Sequence, residues 1–366
     1  MKRYDIPLVP GPVTVAPGTL AAYTENYGSS DLEPEFHTLY RETSRMLGEI
    51  MSTRNDVVIA LGEAMIVLWG TIKSTLGPGD RLLAISSGLF GAGFADMARA
   101  VGAEARVVEF PWDEVPDADV VAAAVREYNP TLVTMVHCET PSGTLTPVEA
   151  IGKRLREVAP DVLFAVDAVA SIGGAPLDTD AAGIDFCLLG TQKCLSTVPD
   201  LGIVSVSGRG WARVEQVNYE GYDALAAFRR ALDKHYFPYT HSWHAVSALN
   251  AACRALLTEG LAASHARHAR VAQAWRDATR EMGFALYPKH EPNSAPTVTA
   301  LQMPAGLDWP TLDARLRSRG MVVGGNYGPL AGRVFRIGHM GNQATDDLFE
   351  RGTAALREAL REGHQG

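Results

Sequence analysis

At 366 residues the chain is long enough to bury a large core and to split into two domains. Its 46% hydrophobic and 20% charged residues are ordinary for a soluble globular enzyme, and a net charge of −9 with no basic run argues against a nucleic-acid partner. The longest apolar stretch, residues 57–72, is interrupted by Glu63 and too short to span a bilayer; the start, Met1-Lys2-Arg3-Tyr4-Asp5-Ile6-Pro7, has no apolar signal core, so a cytoplasmic protein is expected.

Residues 1–20, centred on Pro10-Gly11-Pro12, read as an extended arm and not a helix. Pro34 suits the first turn of a helix running to about Met51. From Val57 strands and helices alternate. Strands are predicted at 57–61, 81–85, 105–110, 131–137, 163–166, 186–189 and 203–207, with helices near 63–76, 90–100, 119–128 and 147–158 between them. This alternation predicts an α/β fold with a parallel central sheet covered on both faces. Residues 208–240 read as irregular. Two long helical patterns follow near 243–257 and 260–282, then strands near 297–302 and 334–337 and a last helix near 345–360. The expected organisation is an arm over 1–20, a large domain over 21–245 and a smaller α+β domain over 246–366.

Cys138, Cys187, Cys194 and Cys253 form no C-x-x-C pair and are expected as reduced thiols. His241-x-x-His244 and His265-x-x-His268 have no neighbouring ligand to complete a metal set, so no metal is expected. Asp167 and Lys193 stand out. Asp167 ends the apolar run Val162-Leu163-Phe164-Ala165-Val166, and Lys193 closes Phe186-Cys187-Leu188-Leu189-Gly190-Thr191-Gln192-Lys193. Ligands of open α/β sheets bind beyond the carboxyl ends of such strands. There the amine would form a Schiff base with a pyridoxal aldehyde, and the acid would keep the ring nitrogen protonated. On spacing alone, a loop aspartate and a surface lysine remain the plainer reading.

Three blocks carry a resemblance: His137-Cys138-Glu139-Thr140-Pro141-Ser142-Gly143, Asp167-Ala168-Val169-Ala170-Ser171 and Gly190-Thr191-Gln192-Lys193-Cys194-Leu195. In order and spacing they resemble the class V aminotransferases, fold-type-I pyridoxal-phosphate enzymes that include the alanine–glyoxylate and serine–glyoxylate aminotransferases. The likeness runs from Pro10-Gly11-Pro12 through Gly88-Leu89-Phe90-Gly91 to Arg336-Ile337-Gly338-His339-Met340-Gly341. It implies a mostly parallel sheet in a large domain plus a smaller C-terminal α+β domain. It implies that Lys193 bears the Schiff base and moves the proton, and that Asp167 pairs with the pyridinium nitrogen. Phe90 and Val169 would cover the two ring faces, and Thr140 would lie near the ring hydroxyl. Arg336 would grip the substrate carboxylate, with Gly11 beside it. It also implies a homodimer with shared active sites.

The phosphate site departs from that family. Its members usually open the first crossover helix with a Ser-Gly-Thr type segment that receives the phosphate on backbone N–H groups. Here the segment is Ala60-Leu61-Gly62-Glu63-Ala64-Met65. A carboxylate ~4 Å from one phosphate charge costs about 4 kcal/mol at an effective dielectric of 20. A Tyr usually supplied by the partner subunit is matched by Phe237, with Tyr236 and Tyr239 as neighbouring candidates, and Thr240 follows. Gln192, often a phosphate ligand, is retained. One branch, acting between unphosphorylated pyridoxamine and pyruvate, resembles this chain at Gly62-Glu63, Cys138-Glu139-Thr140-Pro141-Ser142-Gly143-Thr144 and Phe237-Pro238-Tyr239-Thr240. Where that branch has a second Arg, this chain has Gly324-Gly325-Asn326-Tyr327-Gly328, with Tyr327 the counterpart. The alternatives are a conventional pyridoxal-phosphate aminotransferase acting on alanine or serine, in which Glu63 merely favours a helix dipole, and a non-catalytic pyridoxal-binding protein. A desulfurase is disfavoured because no Cys follows Cys253.

Overall fold

The computed structural model describes residues 4–234 and 236–361. Residues 1–3 of the expected arm, residue 235 and the last five residues of the expected C-terminal domain lie outside the described residues.

A seven-stranded sheet runs in the order Asp56–Leu61, Leu201–Val206, Phe186–Gly190, Leu163–Asp167, Leu132–Val136, Arg81–Ser86, Glu104–Glu109. Its middle strands are buried along their whole length, as a sheet covered on both faces requires. Leu201–Val206 is antiparallel to both neighbours; the other pairings are parallel. The sheet is thus mostly parallel, as expected, with this strand the exception. Its connection to Phe186–Gly190, residues 191–200, contains no helix. A parallel return needs a crossover of a dozen or more residues.

Two expectations change. Residues 208–217, read as irregular, form a helix. The Ser207 hydroxyl accepts the Gly210 N–H at 3.0 Å, Asn218 closes the far end in the left-handed region, and Trp211 and Val214 are buried. Cap and burial outweigh the glycine penalty. The arm is also more ordered than expected: Ile6–Leu8 pairs in parallel with Met321–Val323, and Pro17–Ala21 is a short helix.

Two main apolar cores result, beside two small clusters around Met340 and Leu330. The larger lies around the seven-stranded sheet and extends into the helix Trp243–Glu259. The smaller joins Ile6 and Leu8 to Trp275, Leu316, Phe335, Ile337 and Leu356. It is closed by the antiparallel pair Val298–Gln302 and Val334–Gly338, which sets Ala300 opposite Arg336. No helix among the described residues is long and apolar enough to cross a membrane.

Burial perturbs many titratable groups, and six with large shifts bear most on acid stability. It pushes His137, His241 and His268 down to about 4 and His339 to about 3. Their contribution is complete above the unfolded value near 6.5 and is lost as pH falls toward 4. Burial pushes Glu139 up to about 7 and Asp167 up to about 6. These two act oppositely, losing stability as pH rises through 6–7. At pH 5.5 the unfolded chain binds protons at four histidines while the native chain binds them at two carboxylates. The histidines win. The unfolding free energy of ligand-free protein, read from urea titrations, is therefore expected to fall between pH 7 and pH 5, by a few kcal/mol at about 1.4 kcal/mol per pKa unit. A flat or inverted profile would contradict this account.

Candidate active site

The carboxyl ends of five sheet strands converge on one cavity. Glu63 follows Asp56–Leu61, Phe90 follows Arg81–Ser86, Cys138 and Thr140 follow Leu132–Val136, Asp167 ends its strand, and Gln192 and Lys193 follow Phe186–Gly190. The cavity measures 370 Å³ and is also lined by Pro12, Ala64, Met65, Leu68, Val136, Val169, Ala170 and Pro199. Four larger concavities, of 720, 670, 430 and 400 Å³, share no residue with it.

Lys193 Nζ donates to the Pro10 carbonyl oxygen at 2.8 Å. Burial, and then the Arg336 charge, hold its amine below the ordinary lysine range. That raises the neutral, nucleophilic fraction at neutral pH. Gly11 lies against this amine: a Cβ there would sit 2.5 Å from Lys193 Nζ, and its φ of +96° favours glycine independently.

Asp167 is buried, and its Oδ1 accepts the Val169 N–H at 2.9 Å. Burial raises its carboxyl, opposed by the Val169 N–H and the Lys193 charge. Behind it, the His137 N–H donates to the Asp167 carbonyl at 2.8 Å, and His137 Nδ1 lies 2.9 Å from Ser171 Oγ. A protonated ring nitrogen is the partner that would favour the ionised acid in this dry setting.

Glu63 stands just before the helix Met65–Thr75. Its Oε2 accepts the Met65 N–H at 2.9 Å, and its Oε1 accepts a short hydrogen bond from Gln192 Nε2. The carboxylate therefore occupies both the helix N-terminus and the side-chain amide that would receive a phosphate. Gly62 carries the sharp turn at φ +114°, and its N–H donates to the Asp200 carbonyl at 2.8 Å. Ala64 is buried beneath it.

Arg336 is 4% exposed and lies outside the cavity lining, beyond Pro10 and Gly324. Its Nε donates to the Gly325 carbonyl at 2.8 Å, and the exposed Tyr327 ring lies 5.0 Å from its guanidinium. Asn326 ties this loop to the Pro141 carbonyl at 2.7 Å.

Gly11, Gly62, Tyr327 and Arg336 flank the cavity without lining it, and Phe237 and Thr240 lie elsewhere. Phe237 is buried among Phe36, His37, Tyr40 and His241, at ring separations of 4.8–5.7 Å. The ring therefore packs in its own chain's core and does not line this cavity. Thr240 is on the surface, donating to Asp31 Oδ2 at 2.7 Å. Tyr239, a rival for that register, accepts the Leu61 N–H at 2.8 Å and so steadies the strand before Glu63. Pro12, Met65, Leu68, Cys138 and Pro199 line the cavity without having been singled out. Among the described residues no group of three or more His, Cys, Asp or Glu side chains is placed to hold a metal ion.

The family model for aminotransferase class-V matches residues 20–328. The chain belongs to the class V aminotransferases. It is 31% identical to the pyridoxamine–pyruvate transaminase of Mesorhizobium japonicum over 94% of this chain and 90% of that protein. The solved pyridoxamine–pyruvate aminotransferase of Mesorhizobium loti superposes with a TM-score of 0.95 at 29% identity, covering 100% of this chain and 94% of the other. The alanine–glyoxylate aminotransferase of Nostoc sp. superposes with a TM-score of 0.94 at 28% identity, covering 99% and 96%. The enzyme is thus a fold-type-I aminotransferase. Similarities this even do not separate substrates, which must be argued from the cavity.

Proposed function

We propose that this aminotransferase moves an amino group between unphosphorylated pyridoxamine and a small 2-oxo acid. The pyridoxamine amine becomes the amine of an amino acid; the oxo-acid oxygen leaves as water, and a water molecule supplies the aldehyde oxygen of pyridoxal. The observation that carries the reading is Glu63, whose carboxylate takes the Met65 N–H and the Gln192 amide. A phosphate dianion entering there would meet a like charge and two donors already engaged. A hydroxymethyl group brings no charge and can donate to the carboxylate.

The pyridoxal ring, when bound, supplies the electron sink for breaking the Cα–H bond. The chain's residues do the rest. Lys193 moves the proton between Cα and the carbon bearing the transferred nitrogen. Asp167 holds the proton on the ring nitrogen. Phe90 and Val169 flank the ring, and Arg336 binds the substrate carboxylate through the donors that Gly325 leaves free. The enzyme acts as a homodimer in this reading. Met65, Ile66, Leu89 and Phe90, 38–40% exposed in the single chain, lie at the helix ends around the cavity for a second copy to cover.

Titrating dialysed protein with pyridoxal and, separately, with pyridoxal phosphate tests the reading through visible absorbance. Saturation by pyridoxal at concentrations where the phosphate ester gives no signal is expected. The opposite preference would return the enzyme to the conventional phosphate-dependent aminotransferases, with Glu63 a helix-end residue only.

A further inference from the structure

Glu139 is a buried carboxylate that the roles above leave unused. It is 1% exposed and lies between Cys138 and Thr140, both of which line the cavity. Its side chain reaches the start of the helix Leu89–Ala100. Oε1 accepts the Gly91 N–H at 2.7 Å, and Oε2 accepts the Phe90 N–H at 3.4 Å, across a sequence separation of 49 residues. These are two of the N–H groups that a helix start leaves without intrahelical partners. Most helices cap them with a Ser, Thr, Asp or Asn just before the first turn. Here that residue is Gly88, which has no side chain to cap with. A Cβ on Gly88 would stand 2.6 Å from Glu139 Cδ, and one on Gly91 would stand 3.3 Å from Oε1. Both glycines leave room for a cap delivered from elsewhere in the chain.

The other end of this contact is anchored. The Glu139 carbonyl accepts the Gly143 N–H at 2.8 Å and the Ser142 hydroxyl at 3.2 Å. Burial raises the carboxyl, and the two N–H groups pull it back toward ionisation. A helix N-terminus favours the anion in the same way. The fixed turn therefore holds the backbone of Phe90, whose ring lines the cavity.

We propose that Glu139 is a positioning residue: it caps the helix Leu89–Ala100 from the Cys138–Gly143 turn and thereby sets the Phe90 ring against the ligand. The second half rests on the reading of the cavity as a pyridoxal site. In ligand-free protein, Glu139→Ala is expected to speed amide exchange at Phe90 and Gly91 by about tenfold or more. It should weaken binding of pyridoxal or pyridoxal phosphate, whichever the parent chain binds, by about tenfold.

Two companion variants separate positioning from a general structural role. Adding Gly88→Ser to Glu139→Ala supplies a local hydroxyl in the space vacated, on backbone that is extended and open to any residue. It should restore amide protection and binding together. In a Phe90→Ala background, Glu139→Ala should cost no further binding, since the ring it positions is gone. Equal losses in both backgrounds, or unchanged exchange, would overturn the proposal. If Glu139→Ala fails to fold, Glu139→Gln gives the same comparison, offering one acceptor to two donors. A parent chain that binds neither ligand would instead overturn the pyridoxal reading, while exchange would still decide the cap.

Discussion

Lys193→Ala is expected to leave a folded protein that takes up pyridoxal without developing its visible absorbance, with turnover reduced by about 10⁴-fold or more. The fold should survive because the amine contributes little to it. It makes one hydrogen bond, to the Pro10 carbonyl, and burial beside Arg336 disfavours its charged form. Removing it relieves a buried cation, so thermal stability should hold or rise. The chemistry should not survive, since the other cation near the site, Arg336, is a guanidinium that cannot give up a proton at neutral pH. The two carboxylates lining the cavity are both engaged, Asp167 Oδ1 by the Val169 N–H and Glu63 by the Met65 N–H and the Gln192 amide. Single-turnover rates, together with borohydride trapping of bound pyridoxal, provide the check. A variant that keeps parental turnover would remove Lys193 from the mechanism.

The parts of the site legible in sequence share a physical origin. Asp167 and Lys193 follow apolar runs too short for helices, and a chain leaving a buried parallel strand must surface at one edge of the sheet. Their convergence follows from strand adjacency, since Leu163–Asp167 pairs directly with Phe186–Gly190. Glu63 was legible because a charge at a helix start stands out against its apolar neighbours. Glu139 was not. An acid inside a turn looks solvated until Gly88 and Gly91 are seen to approach it from 48 or more residues away. Phe237 was ambiguous for a related reason. An aromatic ring serves a site or a core equally well, and its core partners Phe36 and Tyr40 lie about two hundred positions earlier. The helix Gly208–Val217 was hidden by its glycines, although Ser207 and the spacing of Trp211 and Val214 carried the signal. The antiparallel strand Leu201–Val206 was hidden because its apolar pattern is the same in either direction; only the missing helix in residues 191–200 decides it.

Glu63→Thr is expected to reverse the enzyme's choice of ring ester. The variant removes a charge and frees the Met65 N–H and the Gln192 amide, while its hydroxyl adds a phosphate donor. Counting a single charge pair at ~4 Å and an effective dielectric of 20, the removal is worth about 4 kcal/mol, so affinity for pyridoxal phosphate should rise by at least on the order of 10²–10³-fold. Affinity for pyridoxal should fall by about tenfold as the charged acceptor for its hydroxymethyl group is lost. Glu63→Gln separates charge from shape. It keeps the side-chain length and an acceptor for Met65 N–H, so a gain for the phosphate ester in this variant too would assign the discrimination to charge. If Glu63 served only to end the helix, both variants would leave the two affinities in their parental ratio. Thr caps a helix tolerably, so the stability change would then stay near or below about 1 kcal/mol. Paired dissociation constants for the two vitamers decide between these outcomes without assuming which oxo acid the enzyme uses.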